Sequence, residues 1–172
     1  MPRSPLAIYL QDHLAGSTAG VNLVRRFVKD NAGTRSGRTL AEVGSEIEAD
    51  RETLVRLMAE MGIRRSRAKN AAAWLAERAL RLKPNGRLHG EPMMQRLHEL
   101  EALSLGIAGK LALWQALRVV PQVASFAGID LDELAERAGR QRERVEAERM
   151  TFARAALAPT STLRGAHAER PV

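Results

Sequence analysis

The stretch TLAEVGSEIEADRETLVRLMAEM, residues 39–61, decides the fold class. Leu40, Val43, Ile47, Asp50, Leu54, Leu57 and Met61 recur in it at steps of three and four, which stacks them on one face of a helix. No alternation of period two competes with that pattern, and Gly62 stops it. Upstream, a first helix is expected from about Pro5 to Asp30, with Tyr9, His13, Gly16, Gly20, Leu23 and Phe27 on one face. Asn31 and Gly33 tolerate the left-handed backbone that closes a helix. A short polar turn, Ala32 to Arg38, then joins the two as an antiparallel hairpin.

Downstream the character changes. Residues 63–92 hold a shorter helix, about Ser66 to Leu82, with Ala71, Trp74, Leu75 and Ala79 as its apolar side. The run Lys83, Pro84, Asn85, Gly86 breaks it. About thirty residues is far more than a hairpin connection needs, and suits a crossover that returns the chain along the molecule. A third long helix follows, about Pro92 to Val120, with Leu97, Leu100, Ser104, Ile107, Leu111, Trp114 and Leu117 as its seam and Pro121 as its stop. The fourth runs from about Asp130 to Leu157 along Leu134, Ala138, Gln141, Val145, Glu148, Phe152 and Ala155. Asp130 is its expected N-cap, with Asp132 and Glu133 suited to the first turn. The expected fold is therefore all-α: a four-helix bundle of up-down-down-up topology over residues 1–158, with a flexible tail, 159–172.

Composition bounds the function. The chain of 172 residues, 45% apolar and 27% charged, is one ordinary soluble domain rather than a disordered segment. No apolar run approaches the ~18 residues of a membrane span. Asp12 and His13 interrupt the amino-terminal apolar stretch, which argues against a signal peptide and makes the cytoplasm the expected location. The absence of cysteine excludes disulfides, thiolate nucleophiles and thiolate-bound metals. The net charge of +7 is concentrated. Arg64, Arg65, Arg67, Lys69, Arg78, Arg81, Lys83 and Arg87 face a single acid, Glu77, within residues 64–87, while the rest of the chain is neutral. Such a strip is a candidate polyanion-binding surface, for nucleic acid or another weak anionic partner, with a solvated basic connection as the plainer alternative. With six aromatics, four of them on expected core faces, base stacking is not the expected mode of binding. Gly16 to Gly20 lacks the strand and the lysine that a phosphate loop requires.

Polar side chains interrupt every long seam. His13 stands in the first helix, Glu46 and Asp50 in the second, Glu101 and Ser104 in the third, and Gln141 and Glu148 in the fourth. Buried unpaired, such groups cost a few kcal/mol each, so they are expected to satisfy one another, with a His13–Asp50 contact as one specific consequence.

These residues carry a family resemblance. YLQDHLAG (residues 9–16) followed by EIEADR (46–51) resembles the first metal-binding hairpin of the ferritin and bacterioferritin group, and LHELEA (97–102) is similar to the acidic start of that family's third helix. The resemblance implies a ferritin-like bundle covering residues 5–157. Family members that oxidise iron draw single carboxylates from two helices and Glu-x-x-His from the other two. Here Ala49 stands where the first histidine belongs, and RQRER (140–144) replaces the second motif with arginines and an amide. The resemblance thus implies a ligand-depleted member without an intact di-iron centre and without an expected cofactor, acting in binding or assembly, with a homodimer as one arrangement. The enzyme-class alternative is a reduced iron, manganese or zinc site built from His13, Glu46, Asp50 and Glu101. Against it stands a hydrogen-bonded polar cluster that fixes helix register.

Overall fold

The helices begin on side chains that catch their free amides. Ser4 Oγ accepts from Ala7 N at 3.2 Å, with Pro5 in the first helical position. Thr34 Oγ1 accepts from Gly37 N at 2.9 Å. Asp130 Oδ1 accepts from both Asp132 N and Glu133 N, at 3.0 and 2.9 Å. These caps open three of the four long helices in the computed structural model, which describes residues 4–64, 92–124, 126 and 128–158. They are α1 (Pro5–Asp30), α2 (Arg35–Glu60), α3 (Pro92–Leu117) and α5 (Leu131–Leu157), with a single turn, α4 (Pro121–Ala124), between the last two. No strand occurs among the described residues. The expected short helix 66–82, most of the basic strip and the tail 159–172 lie outside them.

Two boundaries differ from expectation. α2 starts four residues before Thr39, because Thr34 supplies the cap and Gly33, at φ +79°, makes the turn. Gly37 permits that early start: a Cβ there would collide with the carbonyl oxygen of Asn31, which already accepts from Thr34 Oγ1 at 2.7 Å. α3 ends at Leu117, and a turn carries the chain to Pro121.

Side-chain contacts set the directions. Arg26 reaches Glu99 at 3.5 Å and Asp30 reaches Arg96 at 3.2 Å, so α3 starts beside the end of α1 and runs back along it. At the other end Gln11 Nε2 donates to the carbonyl of Arg64, just past α2. α5 runs antiparallel to α2: Ser36, early in α2, donates to Glu148, late in α5, at 2.5 Å. α3 and α5 share the largest contact, α1 and α2 the next, and α1–α3 and α2–α5 close the ring.

The core fills the space among the four. Leu40, Val43, Ile47, Leu54 and Leu57 of α2 are buried as their spacing requires, and Met61 is partly buried. Leu100, Ile107, Trp114 and Leu117 serve α3. Phe27 meets Phe152 edge-on with centroids 5.8 Å apart. On α1 the buried face is one residue round from the expected one: Leu10, Val21, Val24 and Phe27 are buried, with Leu14 and Val28 packed against them. That row is apolar throughout, whereas the expected row, which shares Phe27 with it, includes His13, Gly16 and Gly20, which have little apolar surface to bury. No helix of the described residues is long and apolar enough to cross a membrane.

Candidate functional site

A polar cluster occupies the middle of the core, and three helices build it. α2 supplies Glu46 and Asp50, one turn apart on one face. α3 supplies Lys110. α5 supplies Arg137, Gln141 and Arg144, spaced four and three apart so that all three face α2.

Asp50, only 1% exposed, is the hub. Its Oδ2 accepts from Lys110 Nζ at 2.5 Å and from Gln141 Nε2 at 3.2 Å. Its Oδ1 accepts from Arg137 Nε at 2.9 Å and Nη2 at 2.5 Å. Gln141 is fully buried and satisfied at both ends. Its carbonyl accepts from Lys110 Nζ, and its amide donates to Asp50 and, at 3.0 Å, to Glu46 Oε2. The amide has one possible orientation here, since an ammonium only donates and a carboxylate only accepts. Arg144 Nη2 completes the cluster on Glu46 Oε1 at 2.5 Å. Three cations thus stand against two carboxylates. Burial pulls the Lys110 ammonium below its ordinary range, while the charge and hydrogen bond of Asp50 oppose that shift.

The residues singled out for a metal divide between separate surroundings. Glu46 and Asp50 do come together. His13 instead packs edge-on against Tyr9, ring centroids 4.5 Å apart, and burial lowers its pKa against the opposing pull of Asp12. The expected His13–Asp50 contact is replaced by the Lys110 and Arg137 bonds, which occupy both carboxylate oxygens. Glu101 lies in another cluster, 3.2 Å from His98 Nδ1 and 3.9 Å from Arg149. There Ser104 donates to Glu146 at 2.6 Å and Arg149 Nε at 2.8 Å, and the Ser104 bond is the main reason that the Glu146 carboxyl sits below its ordinary value. Among the described residues no group of three or more His, Asp or Glu is placed to hold a metal ion.

The donor set does not fit a metal. Arg137 and Arg144 cannot shed their charge at any relevant pH, and they hold the lone pairs that a divalent cation would need. What the cluster does chemically is lock three helices by charge-assisted hydrogen bonds.

Lys110 and Arg137 were not among the expected residues, yet Lys110 had a signal. Leu100, Leu103, Ile107, Lys110, Trp114 and Leu117 form an unbroken three-four repeat, so Lys110 occupies a core position, and Leu111, the expected seam residue, is only partly buried. Arg137 sits one turn before Gln141 and three residues after Leu134, at the edge of the α5 seam. Of the basic strip, Arg64 alone is described. Arg65, Arg67, Lys69, Arg78, Arg81, Lys83 and Arg87 lie outside the described residues. Compared with family models, curated proteins and solved structures, the chain matches none.

Proposed function

We propose that this is a ferritin-like helical protein in which an ion-pair network stands where a di-iron centre would lie, and that it acts by binding or assembly rather than by metal chemistry. The directions of the four long helices support the topological half of that reading. α1 descends, α2 and α3 ascend on either side of the crossover, and α5 descends, which is the up-down-down-up order of ferritin-like bundles. One observation carries the functional half: Lys110, Arg137 and Gln141 saturate Asp50 at mid-height of the helices. Carboxylates in this place serve a metal only when their lone pairs face open space.

The test is elemental analysis after incubation with Fe²⁺, Mn²⁺ and Zn²⁺ and removal of excess metal, with sedimentation velocity on the same samples. The reading expects no stoichiometric metal and a concentration-dependent assembly state, a homodimer being the simplest. Near-stoichiometric metal that disappears in His13→Ala would overturn it and restore the metal-site reading. A monomer at all concentrations would remove assembly with itself. The polyanion reading rests on the charge of residues 64–87 alone, and steeply salt-dependent binding lost on replacing Arg64, Arg65 and Arg67 by Ala would select it.

A further inference from the structure

The outward side of α2 carries a palindromic run. Arg38, Ala41, Ser45, Ala49 and Glu52 follow one another at steps of three, four, four and three, and all five are exposed. On a helix they lie within about 40° either side of one line, opposite the buried Leu40, Val43, Ile47 and Leu54. About Ser45 the run is symmetric in size and opposite in charge: alanine answers alanine, and Arg38 answers Glu52.

The same helix is charged against its own dipole. Arg35 and Arg38 open its first turn, which holds no acid, and Glu60 closes its last, which holds no base. α5 does the reverse, opening on Asp132 and Glu133 and ending with Arg154 in its last turn. No neighbour within the chain relieves α2. Among the described residues Arg35, Glu52 and Glu60 have no ion-pair partner, and Arg38 donates to the carbonyl of Gly33 at 3.2 Å.

Symmetry and charge identify what fits this face. An antiparallel α2 from a second copy, related by a two-fold axis at Ser45, sets Ala41 against the partner's Ala49. It also sets Arg38 against the partner's Glu52, about 10 Å from the axis at each end. The small central side chains let the helix axes approach to about 8 Å, within reach of the long Arg38 and Glu52 side chains. Each basic helix start then lies toward the other copy's acidic half, which opposes the dipole penalty in both. A partner of uniform charge would meet one half of the run and repel the other.

We propose that two copies of the chain meet through this face of α2, antiparallel about Ser45. The interface rests on the reading of the protein as one that assembles with itself, and owes nothing to the ferritin-like part of that reading. Five side chains, three of them small, cover less than the ~800 Å² per partner of a standard interface, so the dimer is weak and salt-sensitive.

Sedimentation velocity on the full chain, over a wide range of concentration at low salt, tests it. Arg38→Glu and Glu52→Arg each set like charges together at both ends of the dimer, and each is expected to weaken association about tenfold or more. The double variant restores association, and so does mixing the two single variants, because every altered charge then meets its opposite across the axis. Positions 38 and 52 are about 21 Å apart along one helix, so that repair cannot arise inside a single chain. Glu143→Arg, on the exposed side of α5, is the control and leaves association unchanged. Far-UV circular dichroism checks that each variant is folded. Should a reversal fail to fold, Ser45→Arg replaces it, since it sets two cations on the axis and must abolish the dimer. A monomer at every concentration would overturn self-assembly and this interface together. A dimer that persists through the reversals, or that no recombination of charges restores, would overturn the interface alone.

Discussion

Replacing Asp50 by alanine removes the acid and leaves its partners in place. The carboxylate takes four hydrogen bonds, two from Arg137 and one each from Lys110 and Gln141. The guanidinium of Arg137 is about a quarter exposed and recovers some hydration, but the Lys110 side chain is 12% exposed and cannot. The variant therefore holds a nearly buried ammonium with only the Gln141 carbonyl for a partner. Stranding one member of a buried pair costs about 3–5 kcal/mol, a large part of the 5–15 kcal/mol that a domain has in total. Lys110→Met leaves Asp50 with Arg137 and costs less, about 1–2 kcal/mol. The two variants also differ in pH dependence. Without Asp50, burial lowers the Lys110 pKa further, so between that value and 10.5 the unfolded chain binds more protons than the folded one. Stability of Asp50→Ala then rises with pH through that window, and its deficit against wild type narrows. Urea unfolding of both variants and wild type at about pH 7 and about pH 10 measures these quantities. A loss below about 1 kcal/mol for Asp50→Ala, or a deficit that is the same at both pH values, would refute the idea that the cluster is a buried charge lock.

Gly37→Ala forces its methyl against the Asn31 carbonyl, so despite a better helix former it lowers the urea midpoint, by more than the ~1 kcal/mol that propensity offers in return. His13 has a pKa below 6.5 in the folded state, so stability is unaffected above 6.5 and declines as pH falls from there through the lowered value. His13→Gln flattens that decline in thermal melts across the acid range. Ser104→Ala removes the main support of the Glu146 carboxylate, and its pKa rises in an NMR titration. Asp130→Ala frees two first-turn amides and costs about 1–2 kcal/mol by urea unfolding.

Helix existence was legible in the sequence because each seam repeats over about five turns or more, and the cap Asp130 and the stop Gly62 are written in residue chemistry. The α2 seam, Asp50 included, could be read directly. The α1 face could not, because two rows one residue apart both keep the three-four spacing, and only total apolar area decides between them. The centre was half legible. Asp50 and Gln141 stand out as polar seam members, but the eye skips Lys110, since a long charged side chain at a core position is usually assigned to solvent. What fixes its inward direction is the complementary acid on another helix, sixty positions away in sequence, and no local pattern contains that information.

The cluster draws on α2, α3 and α5, and no residue of α1 enters it. α1 is held by apolar packing, by the Arg51–Thr18 bond, by the exposed Arg25–Glu48 pair, and by the Asp30–Arg96 and Arg26–Glu99 pairs, whose α3 partners are largely buried. The exposed Arg25–Glu48 pair contributes little. The molecule thus consists of a three-helix frame whose mutual sliding by one 5.4 Å turn would strand a charge, and a fourth helix that can detach without breaking the Asp50 cluster. Backbone amides in the middle of α1 accordingly exchange with solvent through an opening that leaves the other three helices closed, and the frame's amides wait for global unfolding.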